Sequence, residues 1–166
     1  MRMRSAVVPL FFAAVLMGTA CLADDDHQSA TGHVDIGPSS SPLVIEKYSF
    51  AAILQPTGRV AGQFEFDFIL DGASARVHGS VDCVTVVGNR ARIGGTVRHS
   101  SSEDVFAVGS HFIWNVTDNG EGAKDRRDTA SPLLGLPPEI PPTDFCLAGG
   151  FAAEFPLRRG NVQVRP

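Results

Sequence analysis

Between Arg59 and Leu70 the chain reads RVAGQFEFDFIL, so Phe64, Phe66 and Phe68 alternate with Glu65 and Asp67. Successive side chains of an extended chain point to opposite faces, and this alternation predicts a strand with one buried and one solvated face. The same period of two runs through most of the chain from Ile45 onward. KYSFAAIL is followed by QPTG, a turn, and Asp71-Gly72 turns the chain after Leu70. SARVHGSVDCVTVV predicts a strand with Val77, Val81, Cys83 and Val87 on one face and Arg76, His78 and Asp82 on the other. Gly88 and Asn89 tolerate positive φ and mark a two-residue hairpin. ARIGGTVRH returns with Ala91, Ile93 and Val97 inward and Arg92 and Arg98 outward. DVFAVGSHFIWNVT reads as one long strand carrying the single tryptophan.

The proline-rich run SPLLGLPPEIPPTDFC excludes a central strand and disfavours a helix. Cys146 then opens a strand-like segment. GGFAAEFPL and NVQVR close the chain as a hairpin around Arg159-Gly160. A short first strand falls at 31–36. Seventeen glycines and eleven prolines agree with many turns. The expectation is all-β: a single antiparallel β-sandwich or small barrel of about eight strands. One Trp and one Tyr are too few for the two aromatic girdles of an outer-membrane barrel.

The first residues, MRMRSAVVPLFFAAVLMGTACLADDD, predict export. Arg2 and Arg4 form a basic start, Ala6 to Met17 an apolar stretch, and Gly18, Thr19 and Ala20 the small residues of a cleavage site. The signal segment is 1–20, or 1–23 with cleavage after Ala23. GTAC also resembles a bacterial lipobox, with Gly18 where Leu is usual, which makes Cys21 the lipidation candidate. Two outcomes stay open: a lipoprotein starting at Cys21 and a soluble protein starting at Asp24. The location is periplasmic, cell-envelope or extracellular, and membrane attachment runs only through a lipid on Cys21. Residues 21–42, with the polar stretches 24–30 and 37–42, form a flexible N-terminal segment. The β-domain is 43–166. Cys83 and Cys146 remain in an oxidising compartment and are expected to form a disulfide. The formal net charge of −4, about −6 without residues 1–20, gives no basic surface for nucleic acid.

HGSVDCVTVVGNRARIGGTV resembles a family of small secreted bacterial β-domains of unknown function, which share a G-x-x-x-C-x-x-V-x-G-N-x-A-x-I-G-G signature. Gly79, Cys83, Val86, Gly88, Asn89, Ala91, Ile93, Gly94 and Gly95 match it. A later D-x-G-E element matches at Asp118, Gly120 and Glu121, with Asp125 or Asp128 following. Cys146 to Gly150 and Asn161 to Val164 match a terminal element. The resemblance covers roughly Ala30 to Pro166. It implies an all-β fold and export, and it carries no activity, cofactor or ligand.

No residue set with a mechanism stands out, so no catalytic residue and no cofactor is assigned. His78, His99 and His111 have no partner at ligand spacing and read as strand histidines. Ser39 to Ser41 and Ser100 to Ser102 lie in loops without a nucleophile elbow. GNRARIGG sits in a hairpin, whereas a phosphate cradle needs helix N-terminal amides. Asn115 begins an NVT sequon that means nothing in a bacterial exported protein. The phenylalanine stripe with Phe112 and Trp114 reads as core rather than ligand pocket. Arg126-Arg127 and Arg158-Arg159 are too small to be an anion patch beside so many carboxylates.

The most polar stretch is VTDNGEGAKDRRD, from Val116 to Asp128. Asp118, Asn119, Glu121 and Asp125 are its candidate metal ligands. Their spacing misses the alternating oxygens of a calcium loop, and Lys124, Arg126 and Arg127 can neutralise the carboxylates. The expectation is a structured turn, with Asp118 and Asn119 bonded to local amides and Gly120 or Gly122 at positive φ. Function reads as an exported, non-catalytic, envelope-associated binding or structural module with an unknown protein or glycan partner. The alternative is a hydrolase or cation-binding protein using the acidic loop 118–128.

Overall fold

The computed structural model describes residues 27–37, 47–70, 73–120, 126–137, 139–148 and 150–166. The signal segment, its cleavage sites and Cys21 lie outside the described residues. So do most of the 37–42 spacer, the Asp71-Gly72 turn, and Glu121, Gly122, Lys124 and Asp125.

The elements in chain order are β1 (Gln28–Asp35), β2 (Lys47–Leu54), β3 (Val60–Leu70), β4 (Ala73–Val87), β5 (Arg90–Ser100), β6 (His111–Thr117), β7 (Thr129–Ala130), β8 (Leu134–Leu136), α1 (Pro142–Ala148), β9 (Phe155–Pro156) and β10 (Arg159–Arg165). All strand pairings are antiparallel. The strands run β10-β1-β2-β3-β4-β5-β6-β7-β9, with β8 also beside β6. This one sheet curls into a half-barrel, so the all-β expectation holds. The strand count exceeds the predicted eight because β7, β8 and β9 are only two or three residues long.

The alternation at Phe64, Phe66 and Phe68 places all three in the core. The curl brings β2 and β3 across the interior to β6. Trp114 lies 5.4 Å from the Phe64 ring, 5.7 Å from Phe50 and 6.0 Å from Tyr48, centroid to centroid. Burying each such ring stabilises the fold by roughly 2–3 kcal/mol, and tilted contacts add to that. The glycines of the signature make room for them. A Cβ on Gly79 would sit 2.1 Å from Phe64 Cε1, and one on Gly95 2.8 Å from the same atom. The Tyr48 hydroxyl, buried beneath this cluster, donates to the Ser131 carbonyl at 2.6 Å. The aromatic stripe is core, as its pattern predicts.

Turns follow their residue chemistry. Gly58 in QPTG has φ of 79°, and Gly88 in the β4–β5 hairpin has φ of 60°. The first strand forms, but begins earlier than expected, at Gln28.

Four expectations fail. Cys83 does not share a face with Val77 and Val81. The β4–β5 register slips between Val81 and Cys83, and an extra residue in one strand reverses the facing of everything after it. Val84 and Val86 therefore enter the core while Val87 is exposed. Cys146 lies in α1 instead of opening a strand. Pro142 begins that helix, where the missing N–H costs no bond and the fixed φ suits the first turn. The predicted final hairpin does not form, because β9 pairs β7 and β10 pairs β1. Residues 101–110 also break the expected long strand, leaving β6 to start at His111.

The bulge lets the sheet be covered from outside. Cys83 and Cys146 are joined, with sulfurs 2.05 Å apart. The disulfide holds α1 against β4, β5 and β6. Pro142 packs over Gly94, where a Cβ would meet it at 2.7 Å. Ala91 to Val97 of β5 are consequently buried on both faces. The bridge closes a loop of 63 positions. Chain entropy assigns such a loop about 4 kcal/mol. Reduction, or Cys83→Ala with Cys146→Ala, should lower unfolding free energy by up to about that amount in urea melts.

Candidate functional site

Three places gather polar side chains, some of them flagged in the sequence. The acidic loop is one. Asp118 Oδ1 accepts the Gly120 amide at 2.8 Å, and Asp128 Oδ1 accepts the Asn119 amide at 2.9 Å. Gly120 takes φ of 83°, as expected of the turn. Asn119 differs from expectation: its side chain donates to the Arg127 carbonyl at 2.8 Å. The remaining carboxylate oxygens reach β10. Asp128 Oδ2 accepts from the Val162 amide at 3.0 Å, and Asp118 Oδ2 from Val164 at 3.1 Å. Two side chains therefore bond the free edge of β10 to the loop between β6 and β7. Among the described residues no group of three or more His, Cys, Asp or Glu is placed to hold a metal.

The second place lies beneath the segment after α1. Glu154 accepts from Thr117 at 2.6 Å, from Arg90 at 2.9 Å, and from Asn115 and Thr129. Asn115 is fully buried, and its Oδ1 accepts from the Ala152 amide at 2.8 Å. The sequon asparagine is thus part of the interior. Arg90 stacks on Phe151 at 3.7 Å, and Arg92, expected outward, is buried beneath α1 with Nε bonded to the Cys146 carbonyl. Sequence reading missed this cluster, because Glu154 stands alone between apolar residues with no spacing to mark it. Every partner is already engaged, so the cluster reads as a polar staple of the cover.

Burial pushes the Glu154 carboxyl up, but hydrogen bonds from Thr117, Thr129, Arg90 and Asn115 favour its charged form and leave it below its ordinary value. Asp35 behaves alike. Burial raises it, and the Arg158 hydrogen bond, the Gly37 amide and the charges of Arg158 and Lys47 bring it down. Burial, and then the Glu154 charge, push the Tyr48 hydroxyl well above its usual value, so it stays a donor.

The third place is the outer face of β1 to β4 with the end of β5 at Arg98 and His99, which α1 leaves open. The register aligns one row directly across the strands: His33 opposite Ser49, Ser49 opposite Glu65, Glu65 opposite His78, and His78 opposite His99. Ser49 donates to Glu65 Oε1 at 3.0 Å, and His78 Nδ1 lies 3.5 Å from Glu65 Oε2. The rings of His78 and His99 are 6.4 Å apart. Small Ser49 between longer neighbours leaves a depression of about 390 Å³, bounded also by His33, Asp67 and Arg76. It adjoins a second of about 260 Å³ that shares Ser49, Glu65 and His78. The carboxylate sits between hydroxyl and imidazole. A nucleophilic serine needs the imidazole in the middle, so this order does not activate Ser49. His78 and His99 are exposed strand histidines, as expected, but His111 bonds the Ile140 carbonyl away from them, at 3.0 Å. Only the strand register could have revealed the row, and the turn lengths that set it were not all readable.

Comparison with protein-family models, curated proteins and solved structures finds no match for this chain. The resemblance to small secreted β-domains therefore stands on its motif residues. In the structure those residues are a bulge and disulfide (Cys83), a hairpin (Gly88, Asn89), ring space (Gly79, Gly95) and a seat for α1 (Gly94).

Two stability tests follow. Asp128→Ala strips acceptors from the Val162 and Asn119 amides and should cost about 2–3 kcal/mol in urea melts, and Asp128→Asn should cost less. Because the folded state lowers the Glu154 and Asp35 carboxyls, their contribution is complete above the ordinary carboxylate range and is lost as pH falls through the folded-state values. Unfolding free energy should thus drop from about pH 5 downward. Glu154→Gln should flatten that acid limb and cost on the order of 2 kcal/mol at neutral pH.

Proposed function

We propose that the chain is an exported, non-catalytic β-domain that binds a glycan or protein partner of the cell envelope through the open outer face of β1 to β4. One observation carries the reading: cover and openness are divided on the same sheet. The outer face of β5 and β6 is sealed by α1 and the Glu154 cluster, while the neighbouring face presents the polar row. His33, Ser49, Glu65, Asp67, Arg76 and His78 there supply donors and acceptors around a shallow depression. A depression with mixed hydrogen-bonding groups suits a hydroxyl-rich or peptide surface. The Ser49–Glu65–His78 order supports a binding role over hydrolysis.

The test purifies the native chain from the envelope fraction and reads its N-terminus by mass spectrometry. A lipid adduct on Cys21 or a start at Asp24 supports export, and a retained Met1 opposes it. The same chain is then sedimented with isolated envelope material. Glu65→Ala with His78→Ala should reduce the bound fraction about tenfold while melting stays unchanged, since both side chains are exposed. Equal retention of this double variant and the parent would defeat the reading.

A further inference from the structure

Arg126 and Arg127 leave the acidic loop, and Arg158 and Arg159 enter β10 much later in the chain. The curl brings both pairs to one depression of about 350 Å³, which Asp128 and Asn161 also line. All four arginines are exposed. The Asp128 carboxylate already accepts the Asn119 and Val162 amides, one on each oxygen. Arg158 Nη2 lies 3.2 Å from Asp35 Oδ2, a carboxylate shared with Lys47 at 4.0 Å. That ion pair fixes one guanidinium beside β10. Among the described residues the lining thus carries four arginines and one carboxylate, Asp128, with Asp35 paired to Arg158 beside it, on a chain whose net charge is −4. Either pair alone is weak in water. Together they act on one volume, and a guanidinium offers paired N–H groups that match two oxygens of an oxyanion.

We propose that this depression is a binding site for a phosphate-type oxyanion, with Arg126, Arg127 and Arg159 as direct donors and Arg158 held in place by Asp35. The phosphate is either free and soluble or the headgroup of an acidic lipid. The site is separate from the polar row and does not depend on it.

The experiment titrates the full mature chain at low ionic strength with two probes: pyrophosphate by calorimetry, and phosphatidylglycerol vesicles in a phosphatidylcholine background by flotation. Saturable pyrophosphate binding assigns a soluble ligand, and vesicle binding without it assigns a headgroup. In either case Arg127→Gln and Arg159→Gln should each weaken binding about tenfold, and added salt should weaken it further. Arg98→Gln removes the same charge on exposed β5 and should leave binding unchanged. Circular dichroism confirms that each variant is folded. The proposal is overturned if neither probe binds, if the Arg127 and Arg159 variants bind as the parent does, or if Arg98→Gln weakens binding equally.

Discussion

One inserted residue in β4 decides how this sheet is used. The slip between Val81 and Cys83 lets Val81 and Val84 both face the core and turns Cys83 outward. Without that reversal the sulfur would point into the aromatic interior, beyond reach of α1. The disulfide, the seat of Pro142 over Gly94 and the burial of Arg92 under the helix follow from it. So does the division of the outer face. A tethered helix covers β4 to β6, and the strands before them are left with only their own side chains.

That division joins architecture to the binding reading. A half-barrel has one inside, filled here by Trp114 and the phenylalanines, leaving only the outside open to solvent. The covered part of the outside is polar too, but its groups are consumed internally: Glu154, Asn115, Thr117 and Arg90 bond one another. The open part differs less in composition than in having nothing above it. Polar groups on β1 to β4 meet solvent or a partner, and polar groups on β5 and β6 meet the chain's own C-terminal segment.

Much of this was legible in the residues. Phe64, Phe66 and Phe68 announced their strand and its buried face, Gly88-Asn89 their hairpin, and Cys83 and Cys146 their bond. The period-two signal fails where backbone counting matters, and the bulge at Asp82 has no marker in sequence because Asp is an ordinary outward residue there. Pro142 was read as a helix breaker, although the first position of a helix is where proline fits. The sites were harder still. His33, Ser49, Glu65 and His78 come from four different strands, and only their register aligns them. The four arginines read as two minor pairs because their meeting is produced by the curl. Asp118 was singled out as a candidate ligand and Asp128 only as a motif match, whereas the part of both in the fold is to accept amides from a strand distant in sequence.

The last of these contacts bears on how the protein coexists with copies of itself. An open sheet has terminal strands, and a terminal strand exposes donors that another molecule's backbone can complete, extending the sheet from chain to chain. β10 is such a strand. Its Val162 and Val164 donors are already satisfied from within the same molecule, by carboxylates that belong to no strand. A neighbouring backbone arriving there finds these donors already occupied. Asp118 and Asp128 thereby blunt an edge that would otherwise offer two free amides to another chain, without the additional strand that a complete barrel would require.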